Sequence, residues 1–160
     1  MRYEVSQAQV FYFEANKTIL FEDAYPNIIY PNRGYDLWRT DPEIKKIVCN
    51  KEFGAIIFQL TKVRPIRLLF DRVVERETVD LMKSSFQGIL IGALIRPDSL
   101  TFFSPETPFI VEERALLVVY GTLDSVFTYK KGDPFAKNTQ NQGYTYGDRL
   151  KSDDYPLIYR

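Results

Sequence analysis

Apolar positions along the chain fall into short runs that predict a small β-sheet. Three runs, at 66–69, 89–94 and 116–120, are apolar at both odd and even positions, which indicates strands buried on both faces. We expect these three strands to be neighbours in one sheet. The runs at 100–103 and 54–60 (LTFF and GAIIFQL) are also interpreted as strands.

Two segments carry helix signals. Within residues 40–52, Asp41 can cap a helix, and it is followed by Pro42, which is tolerated in the first helical turn. Residues 74–86 give the clearest helical pattern and end before Gly88. The positions at helical spacing are Val74, Thr78, Met82 and Phe86. We expect this second helix to pack on the sheet, since strands that are apolar on both faces need cover.

These elements predict an α+β fold: a small mixed β-sheet covered by one or two helices, with irregular, aromatic-rich flanks. Residues 1–60 are interpreted as a β-rich N-terminal extension with one short helix, and the two runs on either side of residues 14–17 as a hairpin or two short strands. Residues 61–129 form the αβ core, and residues 130–160 form an extended polar tail. The tail should lie along a partner or along its own sheet, held by aromatic anchors. The candidate docking residues are Trp38, Phe135, Tyr144, Tyr146, Tyr155 and Tyr159.

Composition narrows the choice of function. Twenty-one basic residues balance 21 acidic ones, so charge does not favour nucleic acid as a partner. The single cysteine, Cys49, allows no disulfide within the chain, and no apolar run approaches the length of a membrane helix. We therefore expect a cytoplasmic protein with no direct membrane insertion.

The sequence offers little catalytic chemistry. It contains no histidine, which is the commonest general base and metal ligand, and it has no glycine-rich phosphate loop. The adjacent acids at 112–113 and 153–154 should point to opposite sides of an extended chain. Arg64 and Arg67 are expected to be solvated, with phosphate binding as the alternative. No catalytic residue, metal site or cofactor is predicted; an enzyme that uses only acids and tyrosines stays as a further alternative.

Residues 63–129 resemble a known family. The segments PIRLLFDRVVERETVDLMKSSFQGILIGALIRPDSL and TFFSPETPFIVEERALLVVYG are similar to the C-terminal subdomain of the RCK family, the regulators of K+ conductance. The apolar strand ending at Arg96, the Ser104-Pro105 link and the last strand ending at Gly121 carry the resemblance. A Gly-Asp turn that is usual in the family is replaced here by Arg114-Ala115.

The resemblance implies a non-catalytic regulatory or ligand-sensing module that forms a homodimer. Its groove would take a small nucleotide effector or contact the second copy. The residues that the resemblance places there are Leu81, Met82, Lys83, Phe86, Ile89, Leu90 and Arg96. The alternative is a structural or accessory subunit of a larger assembly that docks other protein subunits through its aromatic flanks and its tail.

Overall fold

The computed structural model describes residues 3–5, 10–14, 36–96, 99–133 and 135–160, with side chains from residue 36 onward. This part of the chain contains nine strands, three α-helices and two 3-10 turns. The strands are β1 (Tyr3–Val5), β2 (Val10–Glu14), β3 (Ile66–Val74), β4 (Glu77–Val79), β5 (Phe86–Ile95), β6 (Ser99–Phe103), β7 (Phe109–Val111), β8 (Ala115–Phe127) and β9 (Leu157–Tyr159). The helices are α1 (Pro42–Val48), α2 (Lys51–Thr61) and α3 (Phe135–Asn141), and the 3-10 turns are Leu37–Arg39 and Leu81–Lys83.

Seven of these strands form one sheet in the order β1-β2-β6-β5-β8-β3-β9, and β4 pairs separately with β7. All the pairings are antiparallel. The thirteen-residue β8 lies between β5 and β3, so the three apolar runs are neighbours as predicted. The predicted α+β class is confirmed.

Each face of the large sheet carries its own apolar cluster. On one face, α1 and α2 cover alternate residues of β5 and β8, including Ile91, Val118 and Tyr120. On the other face, residues such as Leu94 and Leu117 pack against the β4–β7 pair and against residues after 134. Covering both faces explains why the central strands are apolar at both odd and even positions.

The segment 54–60, predicted as a strand, is instead the body of α2. Asn50 caps this helix by accepting the N–H of Glu52 at 2.7 Å. The preceding helix, α1, ends before Cys49, so residues 40–52 do not form one helix. Phe53, Ile56 and Ile57 are buried at helical spacing against the sheet. A short apolar run fits a strand or a helix equally well, and the cap decides here.

The predicted helix at 74–86 is also wrong. Val74 ends β3, paired with Ala115, and the chain then reverses at Arg76, whose φ is 50°. It continues through β4 and the Leu81–Lys83 turn into β5. Val74, Val79 and Phe86 all reach the same apolar cluster. Their spacing looked helical because a strand–turn–strand path returns to one face at similar intervals.

Residues 135–160 pack on the sheet of the same chain. Phe135, Tyr144, Leu150 and Tyr155 are buried in the cluster beneath the large sheet. β9 adds to the edge of β3, with Ile66 opposite Tyr159. This segment therefore covers one face of the sheet and one of its edges.

Only part of the N-terminal prediction falls on described residues. Val10–Glu14 is a strand paired with β1 and β6, whereas the second predicted run, after residue 17, lies outside the described residues. Within the described ranges, no helix is long and apolar enough to cross a membrane.

Candidate functional site

A cavity of about 480 Å³ opens between the large sheet and the β4–β7 pair; we call it the sheet-face cavity. The large sheet contributes Phe70 and Arg72 from β3 and Leu117 from β8. Most of the remaining wall comes from β4, the Leu81–Lys83 turn and the loop before α3. The lining residues are Phe70, Arg72, Glu77, Thr78, Val79, Asp80, Leu81, Lys83, Ser84, Pro108, Leu117, Gly132, Asp133 and Phe135. A volume of this size is typical of small-molecule sites.

Local hydrogen bonds hold two of the walls in place. Asp80 caps the Leu81–Lys83 turn by accepting the N–H of Met82 at 3.1 Å. Asp133 bridges two segments, since its Oδ2 accepts the N–H of Ser85 at 2.6 Å and its Oδ1 accepts the N–H of Phe135 at 3.1 Å. The walls around Lys83 and Ser84 are therefore tied to the framework.

Every carboxylate of the cavity forms an ion pair or a hydrogen bond, whereas two donor groups have no such partner among the described residues. Glu77 pairs with Arg72 at 2.5 Å, while Asp80 and Asp133 accept backbone N–H groups. The exposed Lys83 ammonium makes no ion pair within the described residues, and the buried Ser84 Oγ has no hydrogen-bond partner there. The lining therefore has spare donors, which suit an anionic group.

A second cavity, of about 450 Å³, lies beside the same turn. We call it the tyrosine cavity, because two tyrosines line it. Its residues are Met82, Phe86, Gln87, Gly88, Ile89, Pro105, Glu106, Thr128, Tyr129, Lys130 and Tyr146.

Two carboxyl groups are buried together on the helix-covered side of β3. Asp71 accepts the N–H of Leu37 at 2.8 Å and that of Trp38 at 3.0 Å, and Asp36 accepts from Arg39 Nε at 3.2 Å. Burial, followed by the nearby Asp36 charge, raises the pKa of Asp71 to about 7. Burial also raises the pKa of Asp36. The pair anchors the Leu37–Arg39 turn to the sheet.

The groove residues suggested by the sequence are distributed over three places. Leu81 and Lys83 line the sheet-face cavity, and Met82, Phe86 and Ile89 line the tyrosine cavity. Leu90 packs on the helix-covered cluster. Arg96, just beyond β5, donates its N–H to the carbonyl of Ser99. The structure does not bring these seven residues into one groove.

The suggested docking residues are mostly packed inside the chain. Trp38, Phe135, Tyr144 and Tyr155 are buried, and Tyr159 stacks on Phe58 with ring centroids 5.8 Å apart. Tyr146 is the exposed one. Self-association and docking to other proteins stay predictions.

Several site residues were missed by sequence reasoning. Arg67, expected at the surface, is 2% exposed and donates to the carbonyl of Tyr155 at 2.6 Å. Ser84 and Asp133 belong to no motif, and Asp133 lies in the segment 130–160 that was interpreted as an extended polar tail. Asp36 and Asp71 are far apart in the sequence. The polar position of Asp71 inside an apolar strand was the one available signal.

Comparison with known proteins gives a likeness of fold. No family model matches the chain, and no curated protein matches it. The crystal structure of the non-heme alpha ketoglutarate dependent carbocyclase SnoK from nogalamycin biosynthesis is similar, with a TM-score of 0.59 and 14% identity over 97% of this chain and 80% of that one. The epimerase SnoN from the same biosynthesis is also non-heme and alpha ketoglutarate dependent. It is similar with a TM-score of 0.58 and 14% identity, over 79% of this chain and 76% of that one.

This likeness corrects the interpretation of residues 63–129. The RCK resemblance is wrong, because the helix predicted at 74–86 within the matching segment does not form and the sheet matches a different fold. The regulatory, ligand-sensing module and the alternative of an assembly subunit are overturned with it. The expected lack of enzymatic activity is overturned as well, since both similar structures are enzymes. The fold of this chain, an antiparallel half-barrel sheet with a second small sheet, is similar to that of those two enzymes.

Proposed function

We propose that the chain is an enzyme domain that acts on a small organic acid bound in the sheet-face cavity. The observation that carries the proposal is the pair of spare donors, Lys83 and Ser84, in a cavity whose carboxylates are already engaged. The shared fold supports it, because both similar enzymes depend on alpha ketoglutarate, a small organic acid. A 2-oxo dicarboxylate is therefore the first substrate class to test.

The residues present do not fit the iron of a non-heme enzyme. Such sites commonly use two histidines and one carboxylate, and this sequence contains no histidine. Among the described residues, no three cysteine, aspartate or glutamate side chains are placed to hold a metal ion. The acids of the sheet-face cavity are instead tied to Arg72 or to backbone N–H groups. We derive no step through iron.

The lining supplies the groups that bind and orient the ligand. Lys83 and Ser84 hold the carboxylate of the ligand, and the buried faces of Phe70, Leu117 and Phe135 contact its carbon skeleton. The partly buried Asp133 accepts two backbone N–H groups, so it fixes the wall of the cavity beside the ligand. We also propose a cytoplasmic location, supported by the single cysteine.

Calorimetric titration with 2-oxoglutarate tests the proposal, with succinate as a second acid and dimethyl succinate as the uncharged control. We expect both acids to bind and the diester to bind at least tenfold more weakly, because it lacks the charge that Lys83 recognises. Lys83→Ala should weaken binding of the acids by about tenfold, the size of one charge-assisted hydrogen bond. Lys51→Ala removes an exposed lysine from α2 and should change nothing.

A metal chelator separates the two ways in which the proposal can fail. We expect binding of 2-oxoglutarate to be unchanged in EDTA, since the donor set does not fit iron. Loss of binding in EDTA would show that a metal holds the ligand. Equal binding to wild type and Lys83→Ala would show that the acid lies elsewhere.

A further inference from the structure

Exposed apolar side chains are concentrated around the tyrosine cavity. In the part of the chain with described side chains, five large hydrophobic residues are exposed: Met82, Ile110, Leu123, Tyr129 and Tyr146. Three of them line this one cavity, with exposed fractions of 55% for Met82, 45% for Tyr129 and 74% for Tyr146. Exposed apolar groups that converge on a concave surface indicate a ligand site more than a solvated surface.

Buried rings hold the wall of the cavity in place. Tyr129 meets the buried Phe127 edge to face, with centroids 6.5 Å apart and planes at 84°. Phe127 in turn contacts Phe86, itself part of the lining, at 6.4 Å and 64°. The Tyr129 ring is therefore supported from behind by the core and presents its other surfaces to the cavity.

Polar groups at the same place are available to a ligand. Lys130 Nζ donates to the carbonyl of Met82 at 2.5 Å, and an ammonium group has two further donors. The hydroxyl groups of Tyr129 and Tyr146 make no hydrogen bond to the described residues, and Glu106 adds an acceptor at the edge. A ligand can thus contact aromatic faces, the Met82 thioether and several hydrogen-bonding groups together.

We propose that the tyrosine cavity binds a planar aromatic ring that carries a polar substituent. The rings of Tyr129 and Tyr146 and the sulfur of Met82 contact the ring of the ligand, and Lys130 or a tyrosine hydroxyl meets the substituent. This site is separate from the organic-acid site, although the Leu81–Lys83 turn contributes to both cavities. It does not depend on the proposed function.

Methionine-methyl NMR tests this directly, because the sequence has two methionines and Met82 is the one in the cavity. With [methyl-13C]methionine protein, we expect 2-naphthol to shift the Met82 methyl signal upfield in a saturable titration, through the ring current of the bound ligand. Cyclohexanol, which has a hydroxyl group but no aromatic ring, should cause no such shift. The Met1 signal is the internal reference.

Variants locate the binding. Tyr146→Ala and Tyr129→Ala should each weaken 2-naphthol binding by about threefold to tenfold, the range expected for loss of one aromatic contact. Ile110→Ala removes another exposed apolar side chain, outside this cavity, and should leave the affinity unchanged. No saturable shift with 2-naphthol, or unchanged affinity in both tyrosine variants, would overturn the proposal. A Met82 signal that moves with protein concentration alone would also overturn it, by showing that a second copy of the chain covers the cavity.

Discussion

Asp71 fixes the Leu37–Arg39 turn to β3 while lying beside a second buried carboxyl group. Its two oxygens accept backbone N–H groups, which favours the ionised form. Burial and the nearby Asp36 outweigh this effect, and the pKa rises to about 7. The folded state then binds the proton more tightly than the unfolded state does. The contribution of Asp71 to stability is full below its unfolded pKa and is lost as the pH rises through about 7.

We expect Asp36→Asn to reduce this pH dependence. The substitution removes the second cause of the raised pKa, so Asp71 ionises at lower pH in the folded state. Between about pH 4 and pH 8, the free energy of unfolding of the wild type should fall relative to that of the variant by on the order of 1 kcal/mol, because burial still raises the pKa of Asp71 in the variant. Denaturant unfolding at several pH values measures it, and Asp153→Asn, at an exposed acid, is the control. Parallel pH profiles for wild type and Asp36→Asn would contradict the coupling.

At the scale of elements, α2 and β9 pack so closely that glycine is favoured over alanine at one position inside the helix. Glycine inside a helix usually costs about 0.5–1 kcal/mol relative to alanine. A Cβ atom built on Gly54 would lie 2.6 Å from Cβ of Tyr159, on β9. Since Cβ atoms do not come this close, the helix or the strand must move.

We therefore expect Gly54→Ala to destabilise the protein by about 1–3 kcal/mol, the usual cost of overpacking. Thermal or denaturant unfolding measures the change. The matched comparison is a chain that lacks residues 157–160, where the contact with Tyr159 is gone and Gly54→Ala should be stabilising. A stabilising effect in the intact chain would mean that α2 and β9 are not in contact.

The sequence predicts strands in this chain better than it predicts helices. The runs that became β3, β5 and β8 are apolar on both faces, and burial of both faces is what the structure shows. In contrast, 54–60 and 74–86 were assigned the wrong element. Pairing of Val74 with Ala115 and of Val79 with Phe109 decides the path of the second segment. Such pairings join residues about 30 to 40 positions apart, and a local pattern does not contain them.

At the scale of the whole molecule, residues 135–160 belong to the fold. Leu68 donates its N–H to the carbonyl of Pro156 at 2.9 Å, and Leu150 donates to that of Ser125 at 3.3 Å. With Tyr144 and Tyr155 buried as well, we expect slow amide exchange at these positions in the isolated protein. Hydrogen-exchange mass spectrometry measures it. Exchange of peptides from 144–160 as fast as that of an unfolded chain would show that the segment needs a partner.

The candidate sites could be predicted less well than the fold. The sheet-face cavity combines β3, β4, the Leu81–Lys83 turn and the loop at Asp133, and it exists only after the chain has folded. Lys83 was named from the sequence, but for a groove that does not form. Ser84 and Asp133 become notable only through the partners they have or lack in space.

The hydrogen bond from Arg67 to the carbonyl of Tyr155 has a consequence for the synthesis of the protein. The two residues are separated by 88 positions, which at 5–20 residues per second is roughly 4 to 18 seconds of translation. During this interval β3 has no neighbour on the side that β9 later occupies, and a guanidinium group that ends up buried stays in water. An open strand edge can pair with other chains. The open edge of β3 can therefore pair with other chains in the seconds before β9 is made.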